Sequence, residues 1–514
     1  MKKILTLLSL IISGYAYSQS QFEENIVLGS TGYNEGIAAV ETNAGHYIVL
    51  GSVYTGGNSF NFSLTELDQN GNTIQSKLGS NVTAVPLAMN ITNTGELLVT
   101  GYYMASTTDN DIFLAKFTPD LNLIWFKRYG VIGGNDYGNS VFQMNNDKYV
   151  VTGTTAIGGA AKPSITYLDT AGTIVNEFHL NTNQFASPYY KASYLGDGRF
   201  SFNHLANLTC IVDTNNAILA NPSTAMGIYS LDSYKDYDSK TVIISSGDYG
   251  GPTGGSLVVT RYDSTLSTIL LNKKYKLSGN NLNGVKITTD YITAWGNYVI
   301  AANAESLSNG YTSALFFKID QSGLVYWVNK YLPTGYVQSK FNSFIKTSDG
   351  GYLLVGYVGN SSSTNIFAVK TDSAGISCNM STIALTNTTV TPLPSTPHAL
   401  ASGTTNVLTQ VNNVFNAATN AGTTICSSAS SVLENDAISL NVYPNPMSDL
   451  LNIEVATQEN YILKMYTATG QQILNLTFKN KFQLNTNNYA AGFYLLRIED
   501  KNGNVQASRK LVKP

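Results

Sequence analysis

One turn recurs along this chain, and its spacing limits the fold more than any other feature. The pattern is clearest from Asp349 to Gly375. There a glycine turn, Asp349-Gly350-Gly351, precedes an apolar run, Tyr352 to Val358, and a polar tip, Asn360 to Thr364; a second apolar run, Ile366 to Val369, then leads into the closing turn Asp372-Ser373-Ala374-Gly375. Glycine reaches positive φ without steric cost, so these are hairpin signals. Seven copies align on this unit, with closing-turn residues Asp68, Thr118, Asp169, Asp213, Asp263, Asp320 and Asp372, spaced 44 to 57 positions apart. Three strands in so short a unit cannot bury both faces of their own sheet, so each unit needs neighbours like itself. A period near fifty matches the blades of a β-propeller and is too long for leucine-rich or ankyrin repeats.

The copies are alike in detail. The first pairs His46–Ser52 with Phe62–Gly71, and the fourth, Gly198–Leu205 with Cys210–Asn216, carries the weakest signal. Several units continue into one more strand ending in Lys-x-Tyr or a similar pattern, as in Ile124–Tyr129, Ile269–Tyr275 and Tyr326–Tyr331. Others show a further apolar segment ahead of the glycine-ending strand, such as Ser140–Met144 and Ser343–Thr347, which makes four strands per blade. The runs are short, rich in β-branched and aromatic residues, and broken by glycine, which excludes helices. The seventh unit stops after Ile376 without an outer strand, whereas Glu24–Ser30 reads as a strand with no unit of its own. Residues 23 to 30 are therefore expected to supply the missing edge and close the ring.

Charged residues make up only 12% of the 514 residues and the net charge is −3, which offers neither a basic face for nucleic acid nor a lysine-rich helix for an anionic membrane. Two lysines, an apolar run from Ile4 to Ile12, and small residues at Ala16 and Ser18 form a secretory signal peptide, residues 1–18, cut before Gln19. Its apolar run is well short of the ~20 residues a membrane span requires, and no later segment is apolar enough to span. Three cysteines follow: Cys210, Cys378 and Cys426. In an exported protein Cys378 and Cys426 could pair, closing a loop of 48 positions, worth roughly 4 kcal/mol, and leaving Cys210 unpaired. Three unpaired core thiols are the alternative. Without CxxC or a Cys/His cluster, zinc has no support.

The ring is expected to occupy residues 19–378. Residues 379–436, rich in threonine, serine and asparagine with Pro392, Pro394 and Pro397, read as an extended, poorly packed spacer. From 437 to 514 a compact all-β module follows, with strand candidates such as Leu450–Ala456, where Leu451, Ile453 and Val455 alternate with Asn452 and Glu454. Asn502-Gly503 is a strong hairpin turn.

Four motifs in this module occur in order: Tyr443-Pro444-Asn445-Pro446, the turn Ala468–Ile473, Ala490–Ile498 with Gly492, and Arg509–Lys513 with Lys510, Leu511, Val512 and Lys513. Together they closely resemble the type A C-terminal sorting domain of the bacterial type IX secretion system. The resemblance implies a small β-sandwich, crossing of the outer membrane by the type IX machinery, and removal of the domain by a sortase-like peptidase. The product would then be released or joined to surface lipopolysaccharide.

A readable active site is missing. Neither GxSxG, HExxH nor a phosphate-cradling glycine loop occurs, and the histidines His46, His179, His204 and His398 are scattered over four segments. The repeated turn aspartates are explained as caps of their own hairpins, bonding backbone N–H groups. Thr347-x-Asp349-x-Gly351 faintly resembles a sialidase turn, but a sialidase needs three clustered arginines, and the ring has only Arg128, Arg199 and Arg261. Tyrosine is the remaining lead: Tyr102, Tyr103, Tyr189, Tyr190, Tyr249, Tyr311 and Tyr357 fall in loops or strand ends, where rings stack on sugars or fill an interface. Ordinary blade packing is the competing explanation. The sequence thus predicts an all-β chain: a seven-bladed propeller, a spacer and a β-sandwich sorting domain. The expected function is a secreted or surface-displayed, non-catalytic binding protein for a glycan or a protein, without metal or cofactor. A polysaccharide-active enzyme and a structural adhesion component are the alternatives.

Overall fold

The computed structural model describes residues 20–513 except for 182–190, 221–226, 248–253, 291–295, 390–398, 409–413, 430–439 and loop stretches of one to four residues. The signal peptide lies outside the described residues. Two compact units are present, one of them spanning Ser20–Ser428.

In that unit seven antiparallel sheets follow one another along the chain. Blade 1 is Glu35–Glu41, Tyr47–Gly56, Ser59–Leu67 and Thr73–Ser80; the innermost strands of blades 2 to 7 are Ala84–Ile91, Tyr137–Gln143, Lys191–Gly196, Gly227–Lys235, Asn280–Asp290 and Gln338–Lys346. Each innermost strand packs against the next, and that of blade 7 packs against that of blade 1, so the sheets form a closed ring around a central channel. Large apolar side chains fill the seams between blades. Phe62, Phe113, Phe117 and Phe126, for example, are wholly buried between blades 1 and 2.

The glycine within the second strands of blades 2, 3 and 7 has a physical cause; the second strands of blades 4 and 6, Arg199–His204 and Asn297–Ser306, contain none. All seven innermost strands carry a register shift: at Gly36/Ala38, Pro86/Ala88, Gly138/Ser140, Ser230/Asp232, Gly284/Lys286 and Phe341/Ser343, and in blade 4 near the strand's end at Tyr194/Gly196. The bulge pushes a carbonyl into the neighbouring strand. A Cβ at Gly101, Gly153 or Gly356 would lie 2.0, 1.9 or 1.8 Å from the carbonyl oxygen of Val85, Tyr137 or Lys340, so only glycine fits.

The Lys-x-Tyr ending of the outer strands latches one blade to the next. Buried Tyr129 donates to the carbonyl of Gly172 at 2.7 Å, and Tyr275 to that of Gly323 at 2.9 Å; in both cases the acceptor is the turn glycine of the following blade. At the last seam Tyr331 donates instead to Glu23 Oε2 at 3.2 Å, because Ser20–Ile26 supplies the outer strand of blade 7. That strand runs antiparallel to Thr364–Thr371, with Phe22 opposite Lys370 and Ile26 opposite Ile366. Closure by the chain's N-terminal strand is as expected, displaced a few residues towards the N-terminus.

Residues 380–429 depart from the expectation of a poorly packed spacer. Their described strands add a fifth, outermost strand to blade after blade in reverse order: Met380–Thr382 on blade 6, Thr386–Thr389 on blade 5, Ala399–Ser402 on blade 3, Asn406–Leu408 on blade 2, Val414–Ala417 on blade 1 and Thr424–Ala429 on blade 7. Among the described residues blade 4 alone receives none. This belt covers sheet edges that would otherwise present unpaired backbone groups. Its two ends meet at the N-terminal strand. Buried Glu23 accepts from Ser377 Oγ at 3.0 Å and from Asn379 N at 2.8 Å, while Glu24 accepts from Asn420 Nδ2 at 3.1 Å and Thr424 Oγ1 at 2.8 Å.

The C-terminal domain places Leu440–Tyr443, Leu450–Val455 and Lys481–Asn485 in one sheet, and Asn460–Thr467, Gln472–Lys479, Gly492–Glu499 and Val505–Lys513 in another. Both sheets contribute to one core, which includes Leu451, Ile453, Leu463, Met465, Leu496, Ile498 and Leu511.

Candidate functional site

Antiparallel order within each blade fixes which connections share a face of the ring. Turns between first and second strands, and between third and fourth, lie on one side; second-to-third hairpins and blade-to-blade links lie on the other. On the turn face the repeated aspartates are hairpin caps. Asp68 Oδ1 accepts from the N–H groups of Asn70 and Asn72, both at 2.8 Å. Asp320 Oδ1 does the same with Ser322 and Leu324 at 2.8 and 2.9 Å. Blade 2 manages with other residues: Thr118 Oγ1 accepts from Asn122 N at 3.1 Å, and Leu121 takes the positive φ of 59° that glycine takes elsewhere. Just beyond these turns, Ile74, Ile124, Val175, Leu270 and Tyr326 stand exposed, each at a bulge of an outer strand.

The link face has a different chemistry. Tyr33, Tyr54, Tyr102, Tyr103, Tyr137, Tyr311, Tyr336 and Tyr357 all fall on links, hairpins or the strand ends beside them. Tyr33 is 54% exposed and the others half-buried. Some of their edges are held: the rings of Tyr102 and Tyr137 meet edge to face at 5.0 Å, and the Arg128 guanidinium lies 4.1 Å from the centre of the Tyr103 ring. Of the tyrosines singled out in the sequence, Tyr102, Tyr103, Tyr311 and Tyr357 share this face, and Tyr189, Tyr190 and Tyr249 lie outside the described residues.

At the channel mouth on this face, blades 1, 6 and 7 bring together Glu35, Glu305, Thr312, Lys340, Asn342 and Tyr357. Asn342 Nδ2 donates to Glu35 Oε2 at 3.1 Å and to the Gly36 carbonyl at 2.9 Å. Burial, with Glu35 also contributing, holds the Tyr357 hydroxyl above the usual phenol range, so it stays a neutral donor. The whole channel, lined by all seven innermost strands, has a volume of about 800 Å³.

The three arginines do not converge. Arg128 bonds Asp111 in blade 2 and Arg261 bonds Asp236 at 2.9 Å in blade 5, while Arg199 belongs to blade 4; none is among the described residues that line the channel. His46 pairs with Glu66 at 2.8 Å in blade 1 and His179 with Glu177 at 3.1 Å in blade 3. His398 and the side chain of His204 lie outside the described residues. Among those residues no group of three or more His, Cys, Asp or Glu could hold a metal ion, and no helix is long and apolar enough to cross a membrane.

Cys378 is disulfide-bonded. The side chain of Cys426, its expected partner, lies outside the described residues, as does that of Cys210; by backbone, Cys426 belongs to the belt strand on blade 7 and Cys210 to blade 4.

In the C-terminal domain the exposed Tyr443 donates to Glu454 Oε1 at 2.8 Å and is followed by Pro444, whereas Asn445 and Pro446 are outside the described residues. Gly492 has φ of 150°, a value open chiefly to glycine, and pairs with Lys513; Leu511 is wholly buried opposite Tyr494. Lys510 and Val512 lie in the same terminal strand, their side chains outside the described residues. Residues 441–514 match the family described as the secretion system C-terminal sorting domain. The C-terminal domain is a type IX sorting domain. It addresses the chain to the type IX machinery, and so to the cell surface or beyond. The sorting domain accounts for the chain's last strands and says nothing of the ring.

No curated protein matches the chain in sequence. Among solved structures it is similar to virginiamycin B lyase from Staphylococcus aureus, at 12% identity over 68% of this chain and 99% of that one with a TM-score of 0.42. The Dos1 propeller matches at 10% identity over 69% of this chain and 96% of that one, TM-score 0.39. A protein of unknown function from Bacteroides caccae matches at 10% identity over 58% and 93%, TM-score 0.36.

Proposed function

We propose that the ring is a non-catalytic binding module, exported through its sorting domain and used at the cell surface or in the medium to hold a glycan or a protein ligand. The observation that carries this reading is the segregation of the two faces. Tight, self-capped turns occupy one side; on the other lie the link-face tyrosines and one mouth of an 800 Å³ channel, with Tyr357 in its lining. Half-buried tyrosines present a rigid apolar ring and a polar edge at little entropic cost, which is why they recur at binding surfaces. Sortase-like removal of the sorting domain, followed by release or attachment to lipopolysaccharide, completes the proposed route.

Binding of the chain without its signal peptide to glycan arrays and surface-protein panels tests the reading. Tyr33→Ala and Tyr311→Ala should each weaken any ligand found without lowering the melting temperature by more than a degree or two. Ligand turnover, or binding indifferent to both substitutions, would contradict it.

A further inference from the structure

Two of the channel's carboxylates, Asp232 and Glu35, are hydrogen-bonded from within the ring, and its two ammonium groups lie near aromatic rings. Asp232 accepts from Ser193 Oγ at 2.6 Å and from Ile287 N at 3.0 Å. Glu35 accepts from Asn342 Nδ2 at 3.1 Å. Lys286 lies 3.4 Å from Ser343 Oγ and 5.9 Å from the centre of the Phe344 ring, and Lys340 lies 5.9 Å from the centre of the Tyr357 ring. With Glu305, the described lining holds three carboxylates and two ammonium groups, so their charges nearly cancel. The remainder is amides, hydroxyls, aliphatic groups and the aromatic side chains of Phe142, Tyr194, Tyr234 and Tyr357.

This chemistry selects among ligands by what each would have to displace. An acidic chain entering the channel meets a lining with one more carboxylate than ammonium group, and taking its charges out of water in a partly enclosed site costs several kcal/mol. An uncharged polyhydroxyl chain pays no such penalty. Its hydroxyls exchange hydrogen bonds with amides such as that of Asn283, and its apolar sugar faces lie against rings such as Tyr194. The volume of about 800 Å³ is within the usual range for a small-ligand site, roughly 300–1,000 Å³. We propose that the channel receives the end of an uncharged carbohydrate chain. This rests on the binding reading above and narrows it to one ligand class.

The test is calorimetric titration of the full chain without its signal peptide, using neutral fragments of β-glucan, mannan and xylan and, in parallel, acidic polygalacturonate and chondroitin sulfate fragments. A neutral chain should bind and the acidic ones should not. Asn283→Ala, with the melting temperature preserved, and Tyr194→Leu, which also loses ring contacts with Phe142 and Phe200, should each weaken that binding by about five- to tenfold. Binding of acidic chains alone, or neutral binding unchanged in both variants, overturns the assignment. If instead only a protein ligand binds, and Tyr33→Ala or Tyr311→Ala abolishes it, the carbohydrate assignment fails while the binding reading stands. Absence of any ligand in all arms sinks both.

Discussion

Replacing Asp136 with asparagine should stabilise the ring above neutral pH and leave it unchanged or slightly weaker in acid. Asp136 is wholly buried between blades 2 and 3, where its carboxylate accepts from Val131 N at 2.7 Å and from Ala156 N at 2.6 Å. Asp111, itself wholly buried and paired with Arg128, stands close by. A Cβ on Gly130 would lie 2.5 Å from Asp136 Oδ2 and 2.8 Å from Asp111 Oδ1. Glu177, beside His179, adds negative charge from the outer strand of blade 3. Burial above all, with Asp111 and Glu177 adding to it, pushes the Asp136 carboxyl from 3.8 up to about 7. The fold therefore binds this proton more tightly than the unfolded chain does. The associated stability is fully present below about pH 4, and is lost progressively as pH rises to about 7. A rise from 3.8 to about 7 amounts to at most about 4 kcal/mol.

Blade 1 shows that an amide suits the place. There Asn34 Oδ1 accepts from Tyr54 N at 2.8 Å, three residues past Gly51 as Ala156 is past Gly153. In Asp136→Asn the amide oxygen keeps the bond to Ala156, and one backbone bond is lost at a cost of about 1 kcal/mol. The net gain at pH 8 is then about 2–3 kcal/mol. Urea unfolding of the ring, followed at pH 4.5, 6 and 8, measures it. Equal destabilisation of Asp136→Asn at all three pH values would refute the reasoning, because it would mean that the carboxylate is held charged.

Other expectations follow from closure and packing. Deleting residues 19–31 removes buried Phe22 and Ile26 and the Glu23 and Glu24 contacts, and should lower the melting temperature of the ring by well over ten degrees, about 5 kcal/mol or more; an unchanged melt would rule out the N-terminal strand as the closing edge. Gly356→Ala forces a methyl against the Lys340 carbonyl and should cost about 2–4 kcal/mol in denaturant unfolding, whereas the open Gly335, itself at φ 91°, should cost less when changed to alanine. Peptide mapping without reductant should recover Cys378 linked to Cys426 with Cys210 alkylated; a Cys378–Cys210 peptide would exclude that pairing.

The blades were legible because each one repeats local demands that residue type alone meets. Aspartate caps a turn, glycine yields to a bulge carbonyl, and tyrosine reaches the next blade's turn. The fourth copy is weak in the sequence because its strands are short: Ile218–Ala220 has only three residues. The belt was not legible, and the reason is physical. A fifth strand at the rim pairs mainly through its backbone and is anchored by single apolar residues such as Met380, Ile383, Leu385 and Phe415, so it carries no alternation of large apolar residues; all four residues of Thr386–Thr389 are exposed. Threonine- and asparagine-rich sequence reads the same whether it is a spacer or a rim strand. Motif order alone marked the sorting domain, since Gly492 and Leu511 sit where conformation and burial restrict the choice. The site was half legible: tyrosines stood out by number, but only the antiparallel order of the strands assigns them to one face.

Hydrogen–deuterium exchange of the chain without its signal peptide, measured with and without the tightest ligand found, tests the central claim that the tyrosine-bearing channel mouth is the binding site. The account predicts slowed exchange in the link-face hairpins 306–312 and 359–364 and in the innermost strands Glu35–Glu41 and Gln338–Lys346. Protection confined to turn-face hairpins such as 68–72 and 320–324, or to the sorting domain, would contradict it.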